Sequence, residues 1–257
     1  MLLLLDIGNT HTHVGLAASE KVKFQKNFDT AGWRNASTPH ATRTFVGGRK
    51  LDGAIFCSVV PAASVHCRRF LAALKLDFIE LNSRTLRGVG INYPKPASIG
   101  PDRLANALAV KTLFGAPSLV VDFGTAVTFD VVDHTGHYAG GIIAPGLSAM
   151  TDYLHEKTAL LPKIRIRDPK GVIGKNTEQA MLIGAVHGYR GLVRGLIGEL
   201  KRELGTRRLA VIATGGYAEL IAEDMPEIST VLPNLTLEGL RLAWREHTDA
   251  TSSFRTE

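Results

Sequence analysis

LLLLDIGNTHTHVGL, residues 2–16, decides how this chain is read. Four leucines run straight into Asp6, Gly8, Asn9 and Thr10, and an alternating segment follows. A continuous apolar run is the pattern of a strand covered on both faces. Its abrupt end in an acid, a glycine and small hydrogen-bonding residues predicts a tight turn, with a hairpin partner over 11–17. The same layout returns at SLVVDFGTAVTFDVV, residues 118–132, so that Asp6 and Asp122 stand 116 positions apart. Each copy is followed by another strand-like stretch, 21–28 and 136–143, and later by helical sequence. An internal repeat of this length predicts two related α/β halves, 1–116 and 117–257, facing each other across a cleft.

The remaining segments fit that scheme. In the first half, 54–59 reads as a strand, 63–74 as an amphipathic helix and 77–81 as a short strand. Residues 83–98, with glycine, asparagine and two prolines, read as a loop, and a helix starts near Pro101, whose fixed φ suits a first helical position. In the second half, strands are expected over 118–122, 125–132 and 136–143, with a helix from Gly146. A long helix over 178–204, a strand over 209–214 and a helix over 217–222 follow. A last helix over 237–244 closes the chain, and the tail beyond His247 reads as frayed.

Composition narrows the class. With 257 residues, 45% of them apolar and 21% charged, the chain fits one large globular domain or two small ones. Cys57 and Cys67 have neither metal-ligand spacing nor partners for a disulfide framework, which predicts a reducing cytoplasm. Residues 2–5 are too few for a signal-peptide core, and no window approaches the roughly 18 apolar residues of a membrane span. The net charge of +6 permits an anionic ligand. The basic residues are scattered, however, as at Arg68, Arg69, Lys201, Arg202, Arg207 and Arg208, with no interleaved aromatics. They read as solvated surface, so neither a nucleic acid nor a membrane is expected as partner.

The motifs carry the chemistry. Glycine lets the backbone approach a phosphate without a Cβ in the way, and the turn N–H groups and the Thr10 and Thr125 hydroxyls are donors for phosphate oxygens. A carboxylate would repel phosphate, so Asp6 and Asp122 make sense chiefly through a hard cation such as Mg²⁺. VIATGGYAEL (211–220) and GGIIAPG (140–146) each deliver a strand into a tight turn before a helix; the first suits an adenosine site, and both also suit a plain corner. No Walker A or G-x-G-x-x-G pattern is present, which disfavours P-loop and Rossmann folds. In IGPDRLANAL (99–108), Asp102 is favoured by the helix dipole, whereas Arg103 in the same turn is not. The pair can accept a hydroxyl proton and hold an acidic group. Lys175, Asn176 and Thr177 form an N-cap and an anion-binding helix terminus. His11 and His13 alternate on one strand face without a third ligand and read as structural.

In order, DIGNT (6–10), GPDR (100–103), DFGTAVT (122–128), GGIIAPG, GKNT (174–177) and TGG (214–216) resemble the type III pantothenate kinases, over nearly the whole chain. That family belongs to the actin/hexokinase/Hsp70-like ATPase superfamily. The resemblance implies duplicated ribonuclease-H-like halves, with mixed sheets flanked by helices. It implies ATP-dependent phosphorylation of pantothenate to 4′-phosphopantothenate, the first step of coenzyme A biosynthesis. By the same resemblance, Asp6, Ile7, Gly8, Asn9, Thr10, His11, Thr12 and His13 form a phosphate loop, with Asp6 near Mg²⁺, and Thr125 contacts ATP. Asp122 binds a monovalent cation, K⁺ or NH₄⁺. Asp102 is the general base, while Tyr93, Gly100, Pro101, Asp102, Arg103 and Thr177 line the pantothenate site of a homodimer. The alternatives are a superfamily kinase for another small alcohol and an accessory transcription regulator of the same fold.

Overall fold

The structure, a computed structural model, describes the backbone of residues 1–253 and the side chains of residues 1–249. The elements run β1 (Leu2–Ile7), β2 (His11–Ala17), β3 (Val22–Asp29), α1 (Ser37–Val46), β4 (Gly53–Ser58), α2 (Pro61–Ala73), β5 (Phe78–Glu80), β6 (Gly90–Ile91) and α3 (Pro101–Phe114). They continue with β7 (Ser118–Phe123), β8 (Ala126–Val132), β9 (His137–Pro145), α4 (Leu147–Lys157), α5 (Thr177–Glu203), β10 (Ala210–Thr214), α6 (Ala218–Ala222), β11 (Thr230–Val231) and α7 (Leu235–Ser253). The chain divides into two units: Met1–Gly115 with Gly136–Ala139 and Asn234–Glu257, and Ala116–Thr135 with Gly140–Pro233.

The first unit is built on a sheet ordered β3-β2-β1-β4-β5. The β1–β2 pair is antiparallel and β1–β4 parallel, with Leu2↔Ala17 and Leu2↔Gly53 in register. Leu3, Leu5 and Ile7 point to one face and pack with Val14, Leu16, Trp33, Phe56, Phe70 and Leu71. The alternate leucines, Leu2 and Leu4, are buried as well, and both Leu4 and Leu237 of α7 lie against Gly15. Covering both faces is why β1 reads as an unbroken leucine run.

The second unit repeats the plan. Its strands lie in the order β11-β10-β7-β8-β9, with β7–β8 antiparallel and β7–β10 and β10–β11 parallel. Leu119, Val121 and Phe123 of β7 pack with Val127 and Phe129 of β8, and with Leu182, Val186 and Tyr189 of α5. Five strands in corresponding order, with matching directions for β1–β2 and β7–β8 and for the parallel pairs, form the duplicated α/β architecture expected from the repeat, and β6 adds a sixth strand beside β9. β9 begins in the first unit, where His137 and Tyr138 pair in parallel with Gly90 and Ile91 of β6.

Several features differ from the reading of the sequence. The division expected at 116–117 was contiguous, whereas the observed first unit also takes back residues 136–139 and the C-terminal helix. α7 packs so closely on α3 that a Cβ at Gly239 would lie 2.1 Å from the Ala105 carbonyl oxygen. Thr236 Oγ1 donates to Asn106 Oδ1 at 2.9 Å, and the Arg241 guanidinium donates to the Ser19 carbonyl at 2.8 Å. α7 also continues past the expected fraying point at His247 to Ser253; the last part of that tail, 254–257, lies outside the described residues.

Another difference is α1, preceded by a 3₁₀ turn at Thr30–Trp33, which the sequence does not announce. Its N-cap, Ala36, offers no side-chain cap, and the sequence STPHATRTFV is rich in residues of modest helix propensity. Thr42 and Thr44 instead donate to the carbonyls of Thr38 and His40 one turn back. Finally, the loop over 83–98 contains β6 and a 3₁₀ turn at Pro96–Ser98.

Candidate active site

In the first unit, β1 carries Asp6 to the carboxyl end of the sheet, where the chain turns through Gly8, Asn9 and Thr10. The Gly8 N–H donates to the His11 carbonyl at 3.0 Å, closing the turn. Behind it, Thr30 Oγ1 donates to the Gly8 carbonyl at 2.7 Å, and the Thr30 N–H to the Thr10 carbonyl at 3.0 Å. Thr12 Oγ1 lies 3.0 Å from Thr30 Oγ1 and accepts the Trp33 indole N–H at 2.9 Å. Thr12 and Trp33 are buried, so their bonds form in a low-dielectric setting and hold the loop firmly.

Strand register decides what surrounds Asp6. Across the hairpin it faces His13, and across the parallel pair it faces Cys57. Cys57 Sγ donates to Asp6 Oδ1 at 3.3 Å, and His13 Nδ1 lies 3.5 Å from Asp6 Oδ2. His11 is exposed, with Nε2 4.0 Å from Asp29 Oδ1. The Asp6 carboxyl is pushed up to about 7, first by burial and then by the nearby Asp102 charge, with the Cys57 thiol acting in the opposite direction.

Asp102 comes from the first turn of α3. Gly100 caps the helix, Pro101 starts it, and the Arg103 N–H donates to Asp102 Oδ1 at 2.9 Å. A Cβ at Gly100 would lie 2.5 Å from that same oxygen, so the glycine of GPDR makes room for the acid two residues on. Burial raises the Asp102 carboxyl above the usual range, partly offset by the Arg103 backbone N–H and guanidinium. The structure thus brings together two acids from distant motifs, buried Asp6 and half-buried Asp102, and the Asp102 charge disfavours a second one on Asp6. Arg103 lies over the ring of Tyr138, and the Tyr93 ring makes a T-shaped contact with that ring.

In the second unit, Asp122 holds the equivalent strand-end place, paired with Thr128 across the hairpin and Thr214 across the parallel pair. Three motifs converge on this turn. A Cβ at Gly146 would lie 2.3 Å from the Thr125 carbonyl oxygen, whose own partner is the Gly146 N–H at 3.2 Å. Gly215, at φ +91, would place a Cβ 2.6 Å from Asp122 Oδ1 and 2.7 Å from the Phe123 backbone. DFGT, APG and TGG therefore meet as touching backbone segments. Thr177 opens α5 in this unit, where Asn176 Oδ1 accepts the Gln179 N–H at 2.9 Å as the N-cap.

Cys57 and Tyr138 are the residues that the motifs do not indicate. Cys57 reaches Asp6 only through the β1–β4 register, and Tyr138 reaches Arg103 through β9. The signal in the sequence is weak: Cys57 lies on the buried strand β4, and Tyr138 is a buried position of the alternating strand β9. Among the described residues no group of three or more His, Cys, Asp or Glu side chains forms a metal cage, and no helix is long and apolar enough to cross a membrane. A single carboxylate is the usual protein share of a Mg²⁺ site completed by nucleotide phosphates and water.

A family profile described as type III pantothenate kinase matches residues 2–199. A type III pantothenate kinase of Methylacidiphilum infernorum is 42% identical over 94% of this chain and 87% of its own length. One from Akkermansia muciniphila is 45% identical over 94% of this chain and 97% of its own. Among solved structures, a conserved putative Baf family transcriptional activator from Campylobacter jejuni superposes with a TM-score of 0.62 at 19% identity, covering 96% of this chain and 99% of that one. A putative 2-dehydro-3-deoxygalactonokinase from Sinorhizobium meliloti gives 0.59 at 12% identity, covering 95% and 96%. At such identities the structural likenesses establish the shared fold alone.

Proposed function

Because the chain belongs to the type III pantothenate kinase family, it is a kinase that phosphorylates pantothenate with ATP in coenzyme A biosynthesis, and we propose here which residues do the work. The observation that carries the assignment is the pair of neighbouring acids, buried Asp6 and half-buried Asp102, both raised in proton affinity, with Arg103 beside the second. Asp102 is the general base. It accepts the proton of the substrate's primary hydroxyl as that oxygen bonds to the terminal phosphorus of ATP and ADP leaves. Its raised proton affinity suits this task, because a carboxylate of higher proton affinity takes up the hydroxyl proton more readily. Arg103 holds the substrate carboxylate with its planar fork of donors. Tyr93, Gly100 and Pro101 complete that wall, and Thr177 contributes from the start of α5.

The turn from Asp6 to His13 cradles the ATP phosphates through its backbone donors and the Thr10 hydroxyl, and Thr125 serves in the second unit. Asp6 would hold Mg²⁺, which when bound with ATP neutralises phosphate charge. The fit rests on a hard oxygen donor whose own negative charge is disfavoured by burial and by Asp102, so a cation there relieves both. Asp122 is the residue for a monovalent cation, K⁺ or NH₄⁺, among the backbone carbonyls of the Thr125 turn. A homodimer is supported by the family and by exposed apolar residues in the second unit, including Ile143, Tyr153 and Leu160. A cytoplasmic setting is supported by two buried free thiols, Cys57 and Cys67.

The test is ADP release that depends on pantothenate. Asp102→Asn is expected to lower kcat by about 10²–10⁴ while leaving ATP affinity nearly intact. Wild-type turnover in that variant removes Asp102 as the base. The absence of pantothenate-dependent ADP from the wild-type protein overturns the residue assignments as a whole.

A further inference from the structure

Tyr138 belongs to none of the motifs that mark the family, yet two residues of the substrate wall converge on its ring. The ring is 1% exposed. The Arg103 guanidinium carbon lies over it at 5.8 Å from the centroid, inside the distance at which an aromatic face attracts a cation. The Tyr93 ring meets it at 6.2 Å and 61°, an edge-on arrangement.

Backbone pairing fixes this cluster. Ile91 of β6 is in register with Tyr138 of β9, and the Asn92 N–H donates to the Tyr138 carbonyl at 2.9 Å. Tyr93 is the next residue, so the pair of rings is set by strand geometry. The pairing itself depends on Gly90, where a Cβ would lie 2.0 Å from the His137 ring.

Arg103 needs such support. It is a long side chain in the first turn of α3, where the helix dipole disfavours a positive charge. It also carries several rotatable bonds that must be fixed before its donors can meet a carboxylate. A buried aromatic face offers that fixation without neutralising the guanidinium.

We propose that Tyr138 is a positioning residue that makes this enzyme selective for a substrate carrying a carboxylate, by holding Arg103 on its face and Tyr93 in a T-shaped ring contact. The inference rests on the reading that Arg103 receives the substrate carboxylate.

The experiment compares kcat/KM for pantothenate with that for the analogue in which CH₂OH replaces the carboxylate. Tyr138→Leu is expected to lower kcat/KM for pantothenate about 3- to 30-fold, the range of a cation–π contact, through KM. KM for ATP and turnover of the analogue should stay within about twofold, so that the preference for the acid collapses. Tyr138→Phe keeps the face and should keep the preference. If the Leu variant does not fold, Tyr138→Met fills the same space with an adaptable side chain and carries the same expectation. Equal losses with both substrates mean that Tyr138 only supports the fold, and overturn the proposal. Arg103→Ala, measured in parallel, separates the two ideas. If Arg103→Ala erases the preference and Tyr138→Leu does not, the carboxylate site stands and the role of Tyr138 falls. If neither variant changes it, both readings fall.

Discussion

The two Asp-Gly hairpins occupy the same place in sheets of corresponding strand order, yet they are supported in different ways. The turn after Asp6 is held by side chains: Thr30, Thr12 and Trp33 form a buried network behind it. The turn after Asp122 is held by backbone, with Gly146 and Gly215 packed where no Cβ fits. The neighbours of the acids differ as well, Cys57 and His13 in one case and Thr214 and Thr128 in the other. A repeated strand arrangement therefore fixes where a carboxylate stands, while the residues in register with it fix its chemistry.

The sharpest way to break this comparison is to add one methyl group to each turn. Gly146→Ala is expected to cost about 3 kcal/mol, the upper range for overpacking, because the obstructing atoms are carbonyl oxygens that cannot rotate away. That corresponds to a melting temperature lower by about 6–12 °C in a chain of this size. Gly8→Ala, whose Cβ would meet the His11 carbonyl oxygen at 3.1 Å, should cost about 1 kcal/mol, or about 2–4 °C. Equal losses in thermal melts would show that the two turns are packed alike.

Metal dependence addresses the acids themselves. Asp6→Asn should raise the Mg²⁺ concentration for half-maximal turnover by about 10- to 100-fold, the usual scale for disturbing a metal site. Asp122→Asn should leave that requirement within about twofold and change the response to K⁺. A shift in Mg²⁺ requirement from the Asp122 variant would undo the division of labour.

A smaller effect follows from the burial of Asp6. Its carboxyl titrates near 7 in the folded chain against a usual value of 3.8. Between those pH values the folded chain keeps a proton that the unfolded chain has lost. Stability therefore falls as pH rises from about 4 to about 7 and levels off above that. Metal-free Asp6→Asn protein should accordingly outlast the wild type at pH 8, by about 2 kcal/mol or about 4–8 °C, with the gap closing towards pH 5. Parallel melting curves at both pH values would show that Asp6 is not held in a charge-disfavouring site.

Much of this was legible in the residues. The strands that bear Asp6 and Asp122 show as apolar runs because both of their faces are covered, and Pro101 and Asn176 mark their helix starts by fixed φ and by capping. α1 was not legible, because its buried face is made of Thr38, Thr42 and Val46, two of them polar residues of modest helix propensity, and Ala36 offers no side-chain cap. Nor was the return of α7 to the first unit, since its fit depends on Gly239 meeting a carbonyl of a helix more than a hundred residues away.

The sequence by itself determined the repeat, the two acids at strand ends, the glycines beside them and the family that carries this set in order. Those are local matters of apolar periodicity and turn chemistry. Only the tertiary structure decided that Cys57 and His13 flank Asp6, that Asp102 disfavours its charge, and that Tyr138 carries Arg103. Each of those contacts joins residues through strand register or helix placement, and neither is written in any single stretch of the chain.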